Sequence, residues 1–284
     1  MQMETNEETL SSREFAQLRD LIYTEAGIRL GPEKKTMLEA RLRRRLRALH
    51  LESCSSYCEY LFGREGMREE KIHFIDVVTT NKTDFFREPR HFEFLTQRVL
   101  PEVREESGGR PLLIWSAGCS TGEEPYTMAM VLSEFAEAHP WFRFRILATD
   151  ISTTVLARAE LGVYPGEAVD EVAPALRKKY LMRSREAGAN RFRIVPELRR
   201  LIEFRRLNLM DSDYGLAEKA DAIFCRNVII YFDRATQEAI LGKLCGYLIP
   251  RGYLFVGHSE TLHGMNLPVA PVAPALYRKD HGRG

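Results

Sequence analysis

From Pro111 onward, short apolar runs alternate with helix-like stretches, and this alternation limits the possible folds more than any other feature of the chain. Residues 111–118 (PLLIWSAG) form a continuous apolar run that closes on glycine, as a strand buried on both faces reads. A helical stretch over 124–138 follows, then a strand-like run 142–150 (FRFRILATD) and a helix over 152–162 capped by Ser152. The pattern repeats with strand 220–227 (ADAIFCRN), helix 235–248 and strand 252–260 (GYLFVGHSE). Such alternation predicts an α/β domain with a doubly wound, mainly parallel sheet. Between Arg183 and Arg206 it breaks. Residues 191–195 and 201–206 read as short strands around a turn, which predicts a small β-subdomain inserted near 183–206.

The N-terminal part has a different texture. Ser11-Ser12-Arg13-Glu14 is a capping-box pattern, followed at helical spacing by Phe15, Leu18 and Ile22 until Gly27 stops the run. Pro32 opens a second helix, with Leu38, Leu42, Leu46 and Leu49 along one face, and short helices fit 55–62 and 69–79. The expected organisation is a helical domain over 1–78, a linking segment over 79–110, and the α/β domain over 111–284. With 284 residues, 44% of them apolar and 29% charged, the chain can bury cores of this size. No apolar run approaches the roughly 20 residues of a membrane span. The polar, acidic start is not a secretory signal, and the five cysteines form no disulfide framework, so a cytoplasmic compartment is expected.

In a doubly wound sheet the ligand sits at the carboxyl ends of the strands. After the first strand comes Gly118-Cys119-Ser120-Thr121-Gly122-Glu123-Glu124. Small residues let a ligand approach the backbone there, although a glycine turn whose acidic residues suit the helix dipole is the plainer reading. The segment is neither G-x-G-x-x-G nor a P-loop, and its two glutamates would repel a pyrophosphate. The second strand ends in Asp150, placed either to accept hydrogen bonds from ribose hydroxyls or to cap the next helix. The third ends in Arg226-Asn227, a polar pair that would be costly in an apolar core. Together these ends fit an adenosine-containing ligand without phosphates, and S-adenosylmethionine answers that description.

Six blocks, in order, resemble the bacterial chemotaxis receptor methyltransferases, the CheR family. They are Asn81–Glu88, Trp115–Tyr126, Ala148–Ile151, Leu207–Leu209, Ile223–Asp233 and Gly257–Glu260. The resemblance implies a Rossmann-like methyltransferase domain with an inserted antiparallel β-subdomain behind an all-helical domain. It implies that S-adenosyl-L-methionine is consumed and S-adenosyl-L-homocysteine released, with glutamate side chains of chemoreceptors as substrate. By motif position, Asn81, Thr83 and Arg87 would contact the cofactor, Arg87 near its methionine end. Glu123 would meet the methionine amino group, Asp150 the ribose, and Asn208 and Leu209 the adenine. Arg226 and Asn227 would line the pocket floor, and Tyr231 would lie close to the transferred methyl. A glutamate carboxylate is already ionised at neutral pH, its reference pKa being about 4.3. It needs in-line placement and partial dehydration rather than a general base, so neither a Ser/His/Asp apparatus nor a metal is expected. The seven histidines show no metal-ligand spacing.

One helix carries a surplus of positive charge. Lys34, Lys35, Arg41, Arg43, Arg44, Arg45 and Arg47 crowd it beside only Glu33 and Glu39, in a chain whose formal net charge is +1. Like charges on adjacent turns are mildly destabilising, so an acidic partner is expected, and the resemblance points to the helical bundle of a chemoreceptor. Lys34, Lys35, Arg41, Arg43, Arg44 and Arg47 are the expected docking residues. The protein would then be a monomer, recruited from the cytoplasm to membrane receptor arrays without inserting in the bilayer. Some relatives grip a short terminal receptor tag with the β-subdomain. Here 183–191 holds one glycine and looks shortened, so tag binding is not expected. Two rival readings are a nucleic-acid methyltransferase using the basic helix on phosphates, disfavoured by the near-zero net charge, and a non-catalytic S-adenosylmethionine sensor.

Overall fold

A computed structural model describes residues 9–280 except 107, 108 and 187. The polar start, Ala187 of the 183–191 stretch and His281 therefore lie outside the described residues. Four helices make the N-terminal domain: α1 (Ser12–Ala26), α2 (Lys35–Leu49), α3 (Cys54–Phe62) and α4 (Arg64–Val78). Helix α1 starts on the expected capping box, with Ser11 and Glu14 bonded reciprocally. It ends at Gly27, whose φ of 69° only glycine takes without strain. Pro32 opens a short 3-10 turn rather than α2 itself. Leu18, Ile22, Leu38, Leu42, Leu61 and Phe74 interlock as this domain's core.

Helices α5 (Arg90–Phe94) and α6 (Leu100–Glu106) lead into the α/β domain. There β1 (Leu112–Ala117), α7 (Glu123–Ala138), β2 (Phe144–Asp150) and α8 (Thr153–Leu161) follow in turn. Alternate residues of β1 feed two cores: Leu112 and Ile114 pack into the one that holds Tyr126 and Met130 of α7, while Leu113 and Trp115 pack into the other. Burial on both faces is why the run has no polar alternation.

Next come β3 (Val163–Pro165), α9 (Pro174–Tyr180), β4 (Leu181–Arg183), β5 (Arg191–Ile194), α10 (Pro196–Arg199) and β6 (Ile202–Arg206). Strands β3, β5 and β4 form a separate antiparallel three-stranded sheet. The expected subdomain over 183–206 needs correcting at both ends: it recruits β3 from upstream and stops before β6. Strand β6 pairs in parallel with β2, from Ile146 opposite Ile202 to Asp150 opposite Arg206. The turn of α10 carries the chain out of the small sheet, and Ile202 buries in the main core.

The main sheet is completed by β7 (Ala220–Cys225), helix α11 (Arg234–Gly246), β8 (Leu248–Val256), β9 (Val269–Ala273) and β10 (Leu276–Lys279). Its order is β6-β2-β1-β7-β8-β10-β9. The first five strands run parallel, and β10 and β9 are antiparallel additions that the sequence pattern did not reveal. The chain leaves β1 toward β2 on one side and reaches β7 on the other, so the strand order switches at β1.

The two domains are bonded together. Asp76 of α4 accepts from the backbone and hydroxyl groups of Thr153 and Thr154 at the start of α8, at 2.6–3.2 Å. Tyr23 donates to Asp233 at 2.7 Å, and the Arg29 N–H donates to Tyr231 O at 3.1 Å.

Candidate cofactor and methyl-transfer site

A cleft of about 290 Å³ opens where β2, β1 and β7 end, the switch point at which such sheets bind ligands. Ala26 and Ile28 reach it from the helical domain, and residues 79–84 with Arg87 form one wall. Asn81, Thr83, Arg87, Asp150, Asn208, Leu209, Arg226, Asn227 and Tyr231 all line it. Of the ten expected site residues, Glu123 alone is not among them.

The loop after β1 is shaped by its glycine. Gly118 has φ 88°, and a Cβ there would come 2.4 Å from Val228 Cγ2 on the opposite wall. Its N–H and that of Cys119 both donate to Thr149 O, at 2.8 and 2.9 Å, which turns the loop toward β2. Ser120 then joins two parts of the site. Its N–H donates to Asp150 Oδ2 at 2.9 Å, and its hydroxyl donates to Asn81 O at 2.9 Å.

Asp150 is buried, and its Oδ1 accepts from Ser152 N–H at 2.9 Å. Burial pushes its carboxyl above the usual range, while the backbone bonds from Ser152 and Ser120 work to keep it ionised. It therefore holds the next helix and faces the cleft at once, so the two readings of this residue are compatible.

The two glutamates that open α7 diverge. Glu123 is buried and accepts from Thr121 Oγ1 at 2.7 Å. Glu124 lies on the wall of the cleft, accepting from Ser116 Oγ at 2.7 Å and from Arg226 Nη1 at 2.9 Å. Burial raises the carboxyls of both, and for Glu124 the Arg226 charge opposes the rise. Neighbours on a helix point about 100° apart, so a glutamate pair fixes the helix but not which member faces the ligand.

Arg226 has a side chain only 2% exposed, and two carboxylates neutralise it: Glu124, and Glu88 at 3.0 Å. It also donates to Arg87 O, and its guanidinium lies 5.5 Å from the Phe92 ring centroid. The residue is thus a fastener that holds the 81–88 segment to the end of β7. Glu88, at φ 56°, and Phe86, at φ 55°, bend that segment in the left-handed region so that it can reach Arg226.

Two further residues organise the site, and one of them, Glu260, was given no role from sequence. Glu260 accepts N–H bonds from Asn227, Ile229 and Ile230 at 2.8–3.3 Å and from Gly257, so it shapes the turn that carries Tyr231. Asn208 donates to Glu25 O at 2.6 Å, which ties that wall of the cleft to α1.

Two arginines of the basic helix prove structural. Arg41 Nη1 donates to Val78 O and to Thr79 O (2.9 Å), capping α4, and Nη2 reaches Thr80 Oγ1 at 3.1 Å. Arg41 therefore also has a structural role, since these bonds hold the segment that enters the cleft. Arg45 grips buried Glu70 with two bonds of 2.8 and 2.7 Å. Lys34, Arg43, Arg44 and Arg47 remain on the exposed face, and Lys35 lies half-buried 3.9 Å from Glu39.

Comparison with known proteins agrees with this layout. Residues 13–79 match the family described as CheR methyltransferase, all-alpha domain, and residues 81–273 match CheR methyltransferase, SAM binding domain. The chain is 38% identical to a chemotaxis protein methyltransferase of Borreliella burgdorferi over 275 residues, covering 95% of each. It is 41% identical to chemotaxis protein methyltransferase 2 of Pseudomonas aeruginosa, covering 96% of this chain and 95% of the relative. With the chemotaxis protein methyltransferase of Escherichia coli it shares 40% identity, over 88% of this chain and 85% of that one.

Proposed function

Because the chain belongs to the CheR methyltransferase family, we propose that it methylates glutamate side chains of chemoreceptors at the γ-carboxylate. It is a methyltransferase that uses S-adenosylmethionine. The observation that carries the assignment is the meeting of Asp150, Arg87 and Tyr231 in one cleft at the switch point of the sheet.

The residues present suit the cofactor. Asp150 offers carboxylate oxygens to ribose hydroxyls. Ile151, Leu207, Leu209 and Phe232 give apolar surface for an adenine, with Asn208 as a polar edge. At the other end Asn81, Thr83 and Arg87 suit the methionine carboxylate, and Asn227 lines the floor. Of the glutamate pair, Glu124 is committed to Ser116 and Arg226, which leaves Glu123, the member the family motif assigns, for the methionine amino group. When bound, S-adenosylmethionine supplies an electrophilic methyl on a sulfonium and leaves as the thioether.

What the protein contributes is placement. Arg87 and the Tyr231 hydroxyl, both on the cleft, hold the incoming carboxylate, which is nucleophilic as it stands and gives up no proton. Ala26 and Ile28 bring apolar surface to the cleft, and loss of water there favours a reaction whose two opposite charges cancel as the ester forms.

Recognition of the receptor rests, in this reading, on the exposed positive face formed by Lys34, just ahead of α2, and by Arg43, Arg44 and Arg47 on it. No helix among the described residues is long and apolar enough to cross a membrane. A cytoplasmic monomer recruited to receptor arrays fits that. The test is methyl transfer from radiolabelled S-adenosylmethionine to a receptor's cytoplasmic fragment, expected to give a base-labile ester. Label on nucleic acid, or tight cofactor binding with no transfer to any receptor, would overturn the reading.

A further inference from the structure

Beside Arg226, a carboxylate and two imidazoles converge from distant parts of the chain. Glu88, His91 and His258 each offer a ligand atom, all within 4.8 Å of one another. Glu88 lies at the end of the cofactor segment, just ahead of α5, and His91 lies in the first turn of that helix. His258 follows the end of β8, and its ring centroid lies 4.9 Å from that of His91 at an interplanar angle of 82°.

His91 is the telling member. Its side chain is 1% exposed, and neither ring nitrogen makes a hydrogen bond among the described residues, although Nδ1 comes within 3.4 Å of Glu88 Oε2. A buried imidazole with two unsatisfied nitrogens is costly, and buried polar atoms without partners are rare. The carboxylate also has capacity to spare. Arg226 takes Oε2, while Oε1 receives only long contacts, 3.5 Å from Asn227 Nδ2 and 3.3 Å from His258 N. The charges leave room for a cation too, since Arg226 faces both Glu88 and Glu124, one positive group against two negative.

We propose that Glu88, His91 and His258 form a site for a divalent transition metal, with zinc the best fit, open to solvent at His258. Two imidazoles and one carboxylate are a ligand set that borderline divalent ions prefer, and such a set leaves a fourth position to water. Hard ions such as magnesium would seek more oxygen ligands. Glu88 would bridge the metal and Arg226, so the ion would clamp the cofactor-lining segment to the end of β8.

The test uses the full-length protein, stripped with a chelator and titrated with Zn²⁺ alone by calorimetry, with Co²⁺ as a visible-absorption probe. Wild type should bind one equivalent and show the intense bands of a low-coordinate Co²⁺ site. His258→Ala alters an exposed side chain and should fold normally. It should weaken Zn²⁺ at least about tenfold and abolish the Co²⁺ bands. Absence of saturable Zn²⁺ binding, or an unchanged affinity in His258→Ala, would overturn the proposal. Methyl transfer is not the readout, so the outcome is independent of the function proposed above.

Discussion

Arg226 donates to Glu124 across 2.9 Å while its side chain is only 2% exposed, so this ion pair is sealed inside the wall of the cleft. Glu88 completes it from the other side at 3.0 Å. A buried pair adds little net stability over an apolar filling, but removing one partner strands the others. Arg226→Met would leave two carboxylates facing each other without a cation. It should lower unfolding free energy by about 3–5 kcal/mol, read as a drop in the urea midpoint with an unchanged slope. A stability equal to wild type would mean that the pairing is dispensable.

Asp150 should matter for binding as well as for the fold, since it also accepts two buried backbone N–H bonds. Asp150→Ala removes the carboxylate that faces the cleft and is expected to weaken S-adenosylmethionine by about 1.5–3 kcal/mol, the worth of charge-assisted contacts. Calorimetry on the apo protein decides it. Unchanged affinity would place the ribose elsewhere.

For catalysis, Arg87→Ala should cut turnover by at least tenfold with little change in melting temperature. Its side chain donates to Lys82 O at 3.1 Å on the cleft wall and is no part of a core. Tyr231→Phe keeps the ring and loses one hydroxyl, so its loss of turnover should be smaller. Rates equal to wild type in both would remove these residues from the transfer step.

Much of this site was legible because its residues sit at strand ends, where the period-2 and apolar-run signals stop abruptly and polar residues follow. The Gly118–Glu124 loop, Asp150 and Arg226-Asn227 were readable for that reason. Two things were not. Strand β6 lies close in sequence to β5 but hydrogen-bonds to β2, a long-range choice that local alternation cannot specify. The cluster of Glu88, His91 and His258 is assembled only by the fold, so spacing gave no metal signal. The arginine-rich helix also holds structural members: Arg41 and Arg45 bond to carbonyls at the end of α4 and to a carboxylate on it, which periodicity alone does not reveal.

Cysteine chemistry gives a check on burial. Burial holds the Cys119 and Cys225 thiols well above the usual range, pushes Cys58 up to about 12 and Cys245 to about 11. The thiolate is the nucleophile, so a raised value means less of it at any given pH. Native protein should therefore alkylate slowly at pH 8, with a rate still climbing past pH 9 where a free thiol would level off. Mass spectrometry after timed iodoacetamide treatment reads this. Rapid labelling of Cys119, which lies on the loop beside Asp150, would contradict its place in the core.

The basic helix should divide into two functional faces. Arg45 and Glu70 form a bidentate pair that Tyr57 completes by donating to Glu70 at 2.9 Å, and the Glu70 side chain is 2% exposed. Arg45→Ala strands that carboxylate and should cost about 3–5 kcal/mol of stability, whatever the receptor does. Arg43, Arg44 and Arg47 lie on the exposed face, where charge reversal should barely touch the fold. Contacts between such exposed charges are screened over about 8 Å at physiological salt, so receptor docking through them should weaken steeply as salt rises. Reversing all three to Glu should abolish receptor methylation while leaving S-adenosylmethionine affinity intact. The small sheet offers little in compensation. With the short 183–191 turn between β4 and β5, a terminal receptor peptide should bind no better than a scrambled one. Methylation assays across a salt series, run beside peptide titrations, separate the two routes. Tight peptide binding together with methylation indifferent to salt and to charge reversal would move recognition from α2 to the small sheet.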